Sequence, residues 1–309
     1  MDSKVLVGGA VYKVKGGRTL IEGTGYDVKS GKTLIGGTGY GITFVDTTLN
    51  NNDWSVISET SSAGTAANYW SVGDTKAVAV SGTVGTLSVS GTYYAYILGF
   101  SHNSTYEGSN RIHFGCFKTA QTSGIDVCLV DSKYNSLSNG GSLRFNLNHS
   151  GSDNSGGWAS CNLRSDVLGS DVSPSIPTSG TLLAAFSSDL RASMKSVTKY
   201  TDNTAGGNNS SSYVTATTDY LWLLAEFEIH GDRTYANSSE KNKQAQYTYY
   251  SSGNSKIKYK YSDTSTAAYW WTRSVNSRND TSFCLVDKNG SYTVDGSYYS
   301  YGLAPAFAA

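Results

Sequence analysis

Between Tyr269 and Ala309 nine of 41 residues are Phe, Trp or Tyr, against 12% aromatic for the whole chain. Asn, Ser, Asp, Arg and Thr fill the gaps between those rings, and aliphatic residues come only in short strand-like pieces. Such a stretch predicts a small antiparallel sheet. Ser282 to Asp287 reads as a buried strand and Lys288-Asn289-Gly290-Ser291 as its turn, because Asn-Gly accepts the positive φ of a tight hairpin. Tyr292 to Val294 is the returning strand, Asp295-Gly296-Ser297 turns again, and Tyr298 to Phe307 brings the chain back. Trp270, Trp271, Phe283, Leu285 and Phe307 are expected beneath this sheet as core. Asn276, Arg278, Asn279, Asp280, Tyr292, Asp295, Tyr298, Tyr299 and Tyr301 are the candidate ligand-binding residues. Tyr gives large contact area at low entropy cost, and small polar neighbours adapt their hydrogen bonds, which is the chemistry of a recognition surface.

The balance of charge narrows the partners. Basic and acidic side chains cancel at 24 each, so no basic field points to nucleic acid or an anionic membrane. Only 16% of the 309 residues are charged, below the usual quarter, and Gly, Ser, Thr and Asn carry solubility instead. That profile suits a β-rich extracellular or virion protein. No apolar run is long enough to span a bilayer, and MDSKVLVGG has no apolar export segment, so cytoplasmic synthesis without signal-directed export is expected. Cys116, Cys128, Cys161 and Cys284 are widely spaced and expected to be reduced and buried.

The chain opens on a repeat. Tyr12 to Gly25 is followed at once by Tyr26 to Gly39 with ten identities in fourteen positions, and Tyr40 starts a further copy. Each unit reads as a Val-x-Lys strand, a Gly turn, a Thr-Leu-Ile strand and a Gly-Thr-Gly turn. A hairpin of this size must stack on its neighbour or on other chains. The glycine spacing matches neither a phosphate loop nor a dinucleotide fingerprint. Further on, Asn51-Asn52-Asp53 predicts the start of a helix through residue 60, Gly156-Gly157-Trp158 opens a second over Ala159 to Leu168, and Thr181 to Val197 reads as one amphipathic helix with Leu182, Ala185, Phe186, Leu190 and Met194 on a stripe. Asp219 to Glu226 reads as an apolar strand, and residues 231–265 as a long exposed excursion.

Catalytic patterns are sparse. On a strand, Glu226, Glu228 and His230 would point to one side, as a metal set, an acid–base pair or a polar strand end. His102, His113, His149 and His230 show no pairing at metal spacing. Asp153-Asn154-Ser155-Gly156 offers short oxygen ligands for a structural calcium, without the later Glu of a calcium loop. No other cofactor is expected, and no catalytic residue is assigned.

An ordered set of motifs carries a resemblance: Trp54; Trp70-Ser-Val-Gly-Asp74-x-Lys76; Gly156-Gly-Trp158 with Arg164; Asp219-Tyr-Leu-Trp222-Leu-Leu-x-Glu226; Tyr269-Trp-Trp-Thr-Arg273-Ser274; and Gly302-Leu-Ala-Pro305-Ala-Phe307. Over residues 45 to 309 the chain resembles a poorly characterised domain common in phage and prophage tail or fibre proteins of gut bacteria. Where that domain usually has Trp-Leu-Arg-Ser-Pro this chain has Trp271-Thr-Arg-Ser-Val275, and Ala304 stands where an Arg is often found. The closing pattern also resembles the C-type-lectin-like fold in its formylglycine-generating-enzyme-like branch, which ends in a twisted sheet displaying variable loops over two helices.

The expectations are therefore an α+β, mostly β chain, with β-hairpin repeats over 1–42 and a C-type-lectin-like domain over 43–309 whose display sheet is 269–309. The resemblance implies a non-enzymatic virion protein, a tail or head fibre, that adsorbs to a host-cell surface glycan or protein. Its N-terminus would contact other virion proteins and hold a homo-oligomer, a trimer. No nucleic acid and no membrane insertion are implied. A purely structural decoration protein, and a polysaccharide depolymerase working through Glu226 and Glu228, are the alternatives.

Overall fold

The computed structural model describes residues 44–85, 87–130 and 153–309, together with the backbone of six strands between residues 4 and 43. Those six form three separate antiparallel hairpins: β1 (Lys4–Val7) with β2 (Ala10–Lys13), β3 (Gly17–Ile21) with β4 (Thr24–Val28), and β5 (Ser30–Ile35) with β6 (Thr38–Thr43). The pairing corrects the repeat frame. Val7 lies opposite Ala10, Ile21 opposite Thr24 and Ile35 opposite Thr38, so each hairpin closes through two residues between its Leu-Val/Ile strand and its Tyr strand. Tyr12, Tyr26 and Tyr40 take one register position, opposite Val5, Thr19 and Thr33. Read in that frame the sequence holds three copies of one 14-residue unit, the first starting at Lys4.

The core is built on one eight-stranded sheet. β7 (Thr75–Val84) and β8 (Leu87–Phe100) form its long antiparallel hairpin, and β8 pairs along β9 (Ile112–Lys118). Every residue of Ile112–Phe117 is buried, as expected of a strand covered on both sides. β10 (Asp126–Cys128) pairs the end of β9. A separate ribbon joins β11 (Val197–Asp202) to β12 (Val214–Asp219), and β13 (Leu221–Trp222) returns to the main sheet. β14 (Lys258–Lys260) runs parallel to β10 and antiparallel to β15 (Asp263–Ala268). β16 (Trp270–Val275), β17 (Ser282–Val286) and β18 (Tyr292–Gly296) make the small terminal sheet, and β19 (Ala306–Ala308) fills the slot between β9 and β13. Strand outweighs helix, 34% against 23%, so the class is α+β and mostly β.

Helices are short. α1 (Trp54–Ser62) places Trp54 edge-on against Phe114 at 5.3 Å and Phe307 at 5.7 Å, tying the N-terminal part of the domain to β9 and β19. α2 (Ser104–Glu107) and α3 (Gly157–Ser160) follow, the latter continuing into a π-helical turn over Leu163–Leu168. The single helix expected over 181–197 is two: α4 (Leu182–Ala185) and α5 (Ser188–Ser193). Phe186 between them is extended, makes a β-bridge to Val80, and is followed by a Ser187 N–H bond to Ala79 O at 3.2 Å. The edge of β7 thus outcompetes the i→i−4 ladder for those backbone groups. α6 (Glu226–His230) replaces the predicted strand end, and α7 (Thr248–Ser251) lies in the stretch expected to be exposed.

That stretch is in large part core. Ala236, Asn237, Glu240, Tyr247, Tyr249, Tyr250 and Lys258 are buried. Their polar ends are satisfied inside: the Lys258 ammonium donates to Tyr96 Oη at 3.1 Å and lies 3.7 Å from Asp126, and Tyr250 Oη meets Cys116 Sγ at 3.4 Å. Among the described residues no helix is long and apolar enough to cross a membrane. All four cysteines are free and buried, as expected.

Candidate functional site

The β17–β18 hairpin forms as predicted, but β18 runs on through Asp295 and Gly296 where a turn was expected, and the hairpin turn is longer. The third strand is β16, and the returning segment joins the main sheet as β19. Five residues separate the paired Val286 and Tyr292, and Asp287 organises them: its carboxylate accepts the N–H of Asn289 and of Ser291, each at 2.8 Å. Only Gly290 there has positive φ, so an Asx-type turn stands where a two-residue Asn-Gly hairpin was expected. Trp270, Trp271, Phe283, Leu285 and Phe307 are all buried. Gly302 explains the close return of the chain: a Cβ there would lie 2.4 Å from Cys128 Sγ, and the bare backbone instead exchanges bonds with Tyr269 and Trp271 at 2.9 and 3.0 Å.

The candidate residues separate into three places. Tyr298, Tyr299 and Tyr301 stay partly exposed and assemble with Asp295. Tyr298 and Tyr299 ring centroids are 4.4 Å apart, Tyr299 and Tyr301 5.9 Å, and Tyr301 continues to Tyr269 at 5.5 Å and to buried Trp271 at 5.1 Å. Tyr301 Oη donates to Asp295 Oδ2 at 2.5 Å, and Asp295 Oδ1 accepts the Gly296 N–H at 2.8 Å. Burial and that carboxylate together hold the Tyr301 phenol well above its ordinary range. Tyr292 is elsewhere: three positions before Asp295 it points to the other face of β18, its ring 4.0 Å from that of His230.

The 276–280 loop is a third place, and it is largely committed to structure. Asn276, a candidate ligand-binding residue and so one that has to be exposed, is buried. Its Oδ1 accepts the Arg278 N–H at 3.0 Å, while Asn279 Oδ1 accepts from Thr281 and Ser282. Arg278 is exposed, with its guanidinium 5.0 Å above the Tyr235 ring, and Asp280 is exposed. Asn154 pins the loop from below. Its amide group donates to the carbonyls of Asn276, Asn279 and Ser282, and its oxygen accepts from Gly206. A calcium through Asn154 is therefore not supported: its NH₂ sits where three carbonyls converge, and its oxygen is spent on Gly206.

Below lies a charged interior that sequence spacing did not show. Lys199 of β11 is fully buried and donates to Glu107 Oε2 at 2.7 Å, Glu228 Oε1 at 3.1 Å and Tyr247 Oη at 3.0 Å. Arg273 of β16, also fully buried, clamps Glu228 with two nitrogens and donates to Thr201 and to Leu223 O. Burial pushes Glu228 up, but Arg273 and Lys199 outweigh it and hold its carboxyl down at about 2. Both ring nitrogens of His102 face oxygens, Glu107 Oε2 at 3.1 Å and Ala245 O at 3.0 Å. His102, Glu107 and His113 bring ligand atoms within 4.8 Å of one another, the only such set of three found among the described residues. They do not fit a divalent ion. Lys199 already lies on Glu107, and its charge with that of Arg273 balances the two carboxylates, so a metal would leave an uncompensated +2 in the interior.

Glu226, Glu228 and His230 therefore make neither a metal set nor an acid–base pair. They lie on a helix, where Glu228 is consumed by Arg273 and Lys199 while Glu226 takes the backbone N–H groups of Thr234, Tyr235 and Ala236. Glu240 is the titratable exception, pushed up to about 7 by burial although Asp202 N–H, Ser274 and Gln244 all donate to it. A second node joins two of the sequence motifs: Trp158 Nε1 and Arg164 Nε both donate to buried Asp219, at 3.0 and 2.8 Å. The polar motif residues Arg164, Asp219, Glu226 and Arg273 thus hold loops and strands together.

No curated protein and no solved structure matches the chain. A family model described as a domain of unknown function, DUF6273, matches residues 126–308, more than half of the chain, starting at β10 and ending in β19. Residues 44–125 lie outside that match yet supply α1, β7, β8 and β9 to the same core. On that match the chain belongs to the DUF6273 family of domains of unknown function.

Proposed function

We propose that this chain is a virion surface protein, a tail or head fibre component, whose terminal sheet adsorbs to a host-cell surface receptor, with a glycan as the receptor class. The observation that carries the reading is the partly exposed row Tyr298–Tyr299–Tyr301–Tyr269 with Asp295 at its side. Aromatic faces stack on the apolar faces of sugar rings, and a fixed carboxylate accepts from hydroxyls. The row rests on Trp271 and the rigid β16–β18 sheet, so little order has to be created on binding. A C-type-lectin-like arrangement accords with a small terminal sheet carrying the display residues and with α1 and α5 packed as a pair away from it. The three self-paired hairpins of residues 4–43 suit an attachment and oligomerisation segment in a homotrimer.

Adsorption to host cells tests the reading. Tyr298→Ala and Tyr299→Ala should each weaken adsorption by about 2 kcal/mol or more, as truncating an aromatic anchor does, with melting unchanged. Full adsorption by both variants would assign the terminal face to scaffold and leave the decoration-protein alternative.

A further inference from the structure

The geometry points to a glycan bearing a free primary ammonium, a hexosamine, as the ligand of the terminal aromatic face. This rests on the reading of that face as a glycan-binding surface. Three observations support it. First, Asp295 is held in place from both ends, by Gly296 N–H on one oxygen and the Tyr301 hydroxyl on the other, and each oxygen keeps acceptor capacity for a further donor. Second, among the described residues no Lys or Arg pairs with Asp295, and its carboxylate lies close enough to raise the Tyr301 phenol. The basic side chains of the neighbouring strands are engaged elsewhere: Arg273 on Glu228, Lys258 on Tyr96, and Arg278 over Tyr235. Third, the rings beside Asp295 are packed together and partly exposed, and electron-rich π systems attract a cation rather than an anion.

Charge complementarity then orders the sugars. An ammonium gains a charge-assisted bond to Asp295 and a cation–π contact to the row. An N-acetylated sugar keeps the stacking and loses both. A uronic acid meets a like charge with no base at hand.

The test uses the full chain, titrated in parallel with chitosan oligomers, their fully N-acetylated counterparts and oligogalacturonate at pH 6. Chitosan oligomers should bind about tenfold more tightly than the acetylated ones, with salt weakening the difference. Asp295→Asn should remove that difference, weakening the chitosan oligomers about tenfold more than the acetylated ones. Tyr301→Phe, which keeps the ring and frees Asp295, should narrow it. Equal binding of the two forms, preference for the uronate, or an Asp295→Asn variant that still prefers the ammonium would overturn the proposal and leave the glycan reading standing. No binding to any glycan, in these titrations or on a broader array, would remove the glycan reading itself.

Discussion

Arg273→Met should be among the most damaging single changes in this chain, although no ligand or reacting atom is involved. The guanidinium is fully buried, makes two bonds to Glu228, and adds one to Thr201 Oγ1 at 2.7 Å and one to Leu223 O at 2.9 Å. Met keeps the length of the stem, so the loss is that of the charged head. It leaves Glu228 with Lys199 as its one remaining ionic partner, and Lys199 is already shared with Glu107. Stranding one partner of a buried pair costs roughly 3–5 kcal/mol. At about 2 °C per kcal/mol for a domain of this size, melting should fall by roughly 6–10 °C. Glu228→Gln should cost a similar amount by stranding Arg273. The double variant should be less destabilised than the sum of the two, with a coupling on the order of 2 kcal/mol. Urea and thermal unfolding of the four proteins decide it. Strict additivity, or an Arg273→Met variant that melts within about 2 °C of the parent, would refute the account of this interior.

Other expectations follow from the same contacts. Glu240 titrates near 7 when folded and near 4.5 when unfolded, so its contribution is full below about pH 4.5 and is lost as the pH rises through about 7; Glu228, held at about 2, contributes fully above 4.5 and fails only as the pH falls toward 2. Burial holds His113 and His230 below 6.5, so they raise stability as the pH climbs to that value. The fall due to Glu240 is therefore read as the difference in slope between the parent and Glu240→Gln from pH 5 to 8, and an unchanged slope in that variant would contradict the assignment. Cys116, Cys128, Cys161 and Cys284 should resist alkylation in the native protein and all react once unfolded, with no disulfide by mass spectrometry. Deleting residues 1–42 should leave a folded remainder that has lost its oligomer mass in light scattering, since the hairpins pair with nothing else in the described chain.

The terminal sheet was legible in its β17 and β18 strands and its aromatic spacing, which are local, and not in its turns. Three adjacent pieces of sequence define it, and β17–β18 pair across five residues. The reduced cysteines and the start of α1 were readable for the same reason. The charged interior was not. Glu107, Lys199, Glu228 and Arg273 come from four elements and Tyr247 from the loop before α7, and nothing in the spacing of Lys199 distinguishes a buried ammonium from a solvated one. The same gap made residues 231–265 look exposed: Ser, Lys and Tyr read as surface until Tyr247 is seen bonded to His113 and Lys199. Glu226-Phe-Glu-Ile-His230 alternates as a strand would, but the Ala225 N–H bond to Glu228 at 2.9 Å starts a helix there. Asn276 failed as a display residue because its own carbonyl and amide are used to shape the loop that carries Arg278.

The claim that the terminal aromatic face binds a glycan is tested most directly by one glycan array, probed side by side with the parent chain and with Tyr299→Ala. The account predicts a defined set of bound glycans for the parent, lost in the variant, with both proteins melting at the same temperature. A parent that binds no glycan, or a variant that binds the same set as strongly, would contradict it.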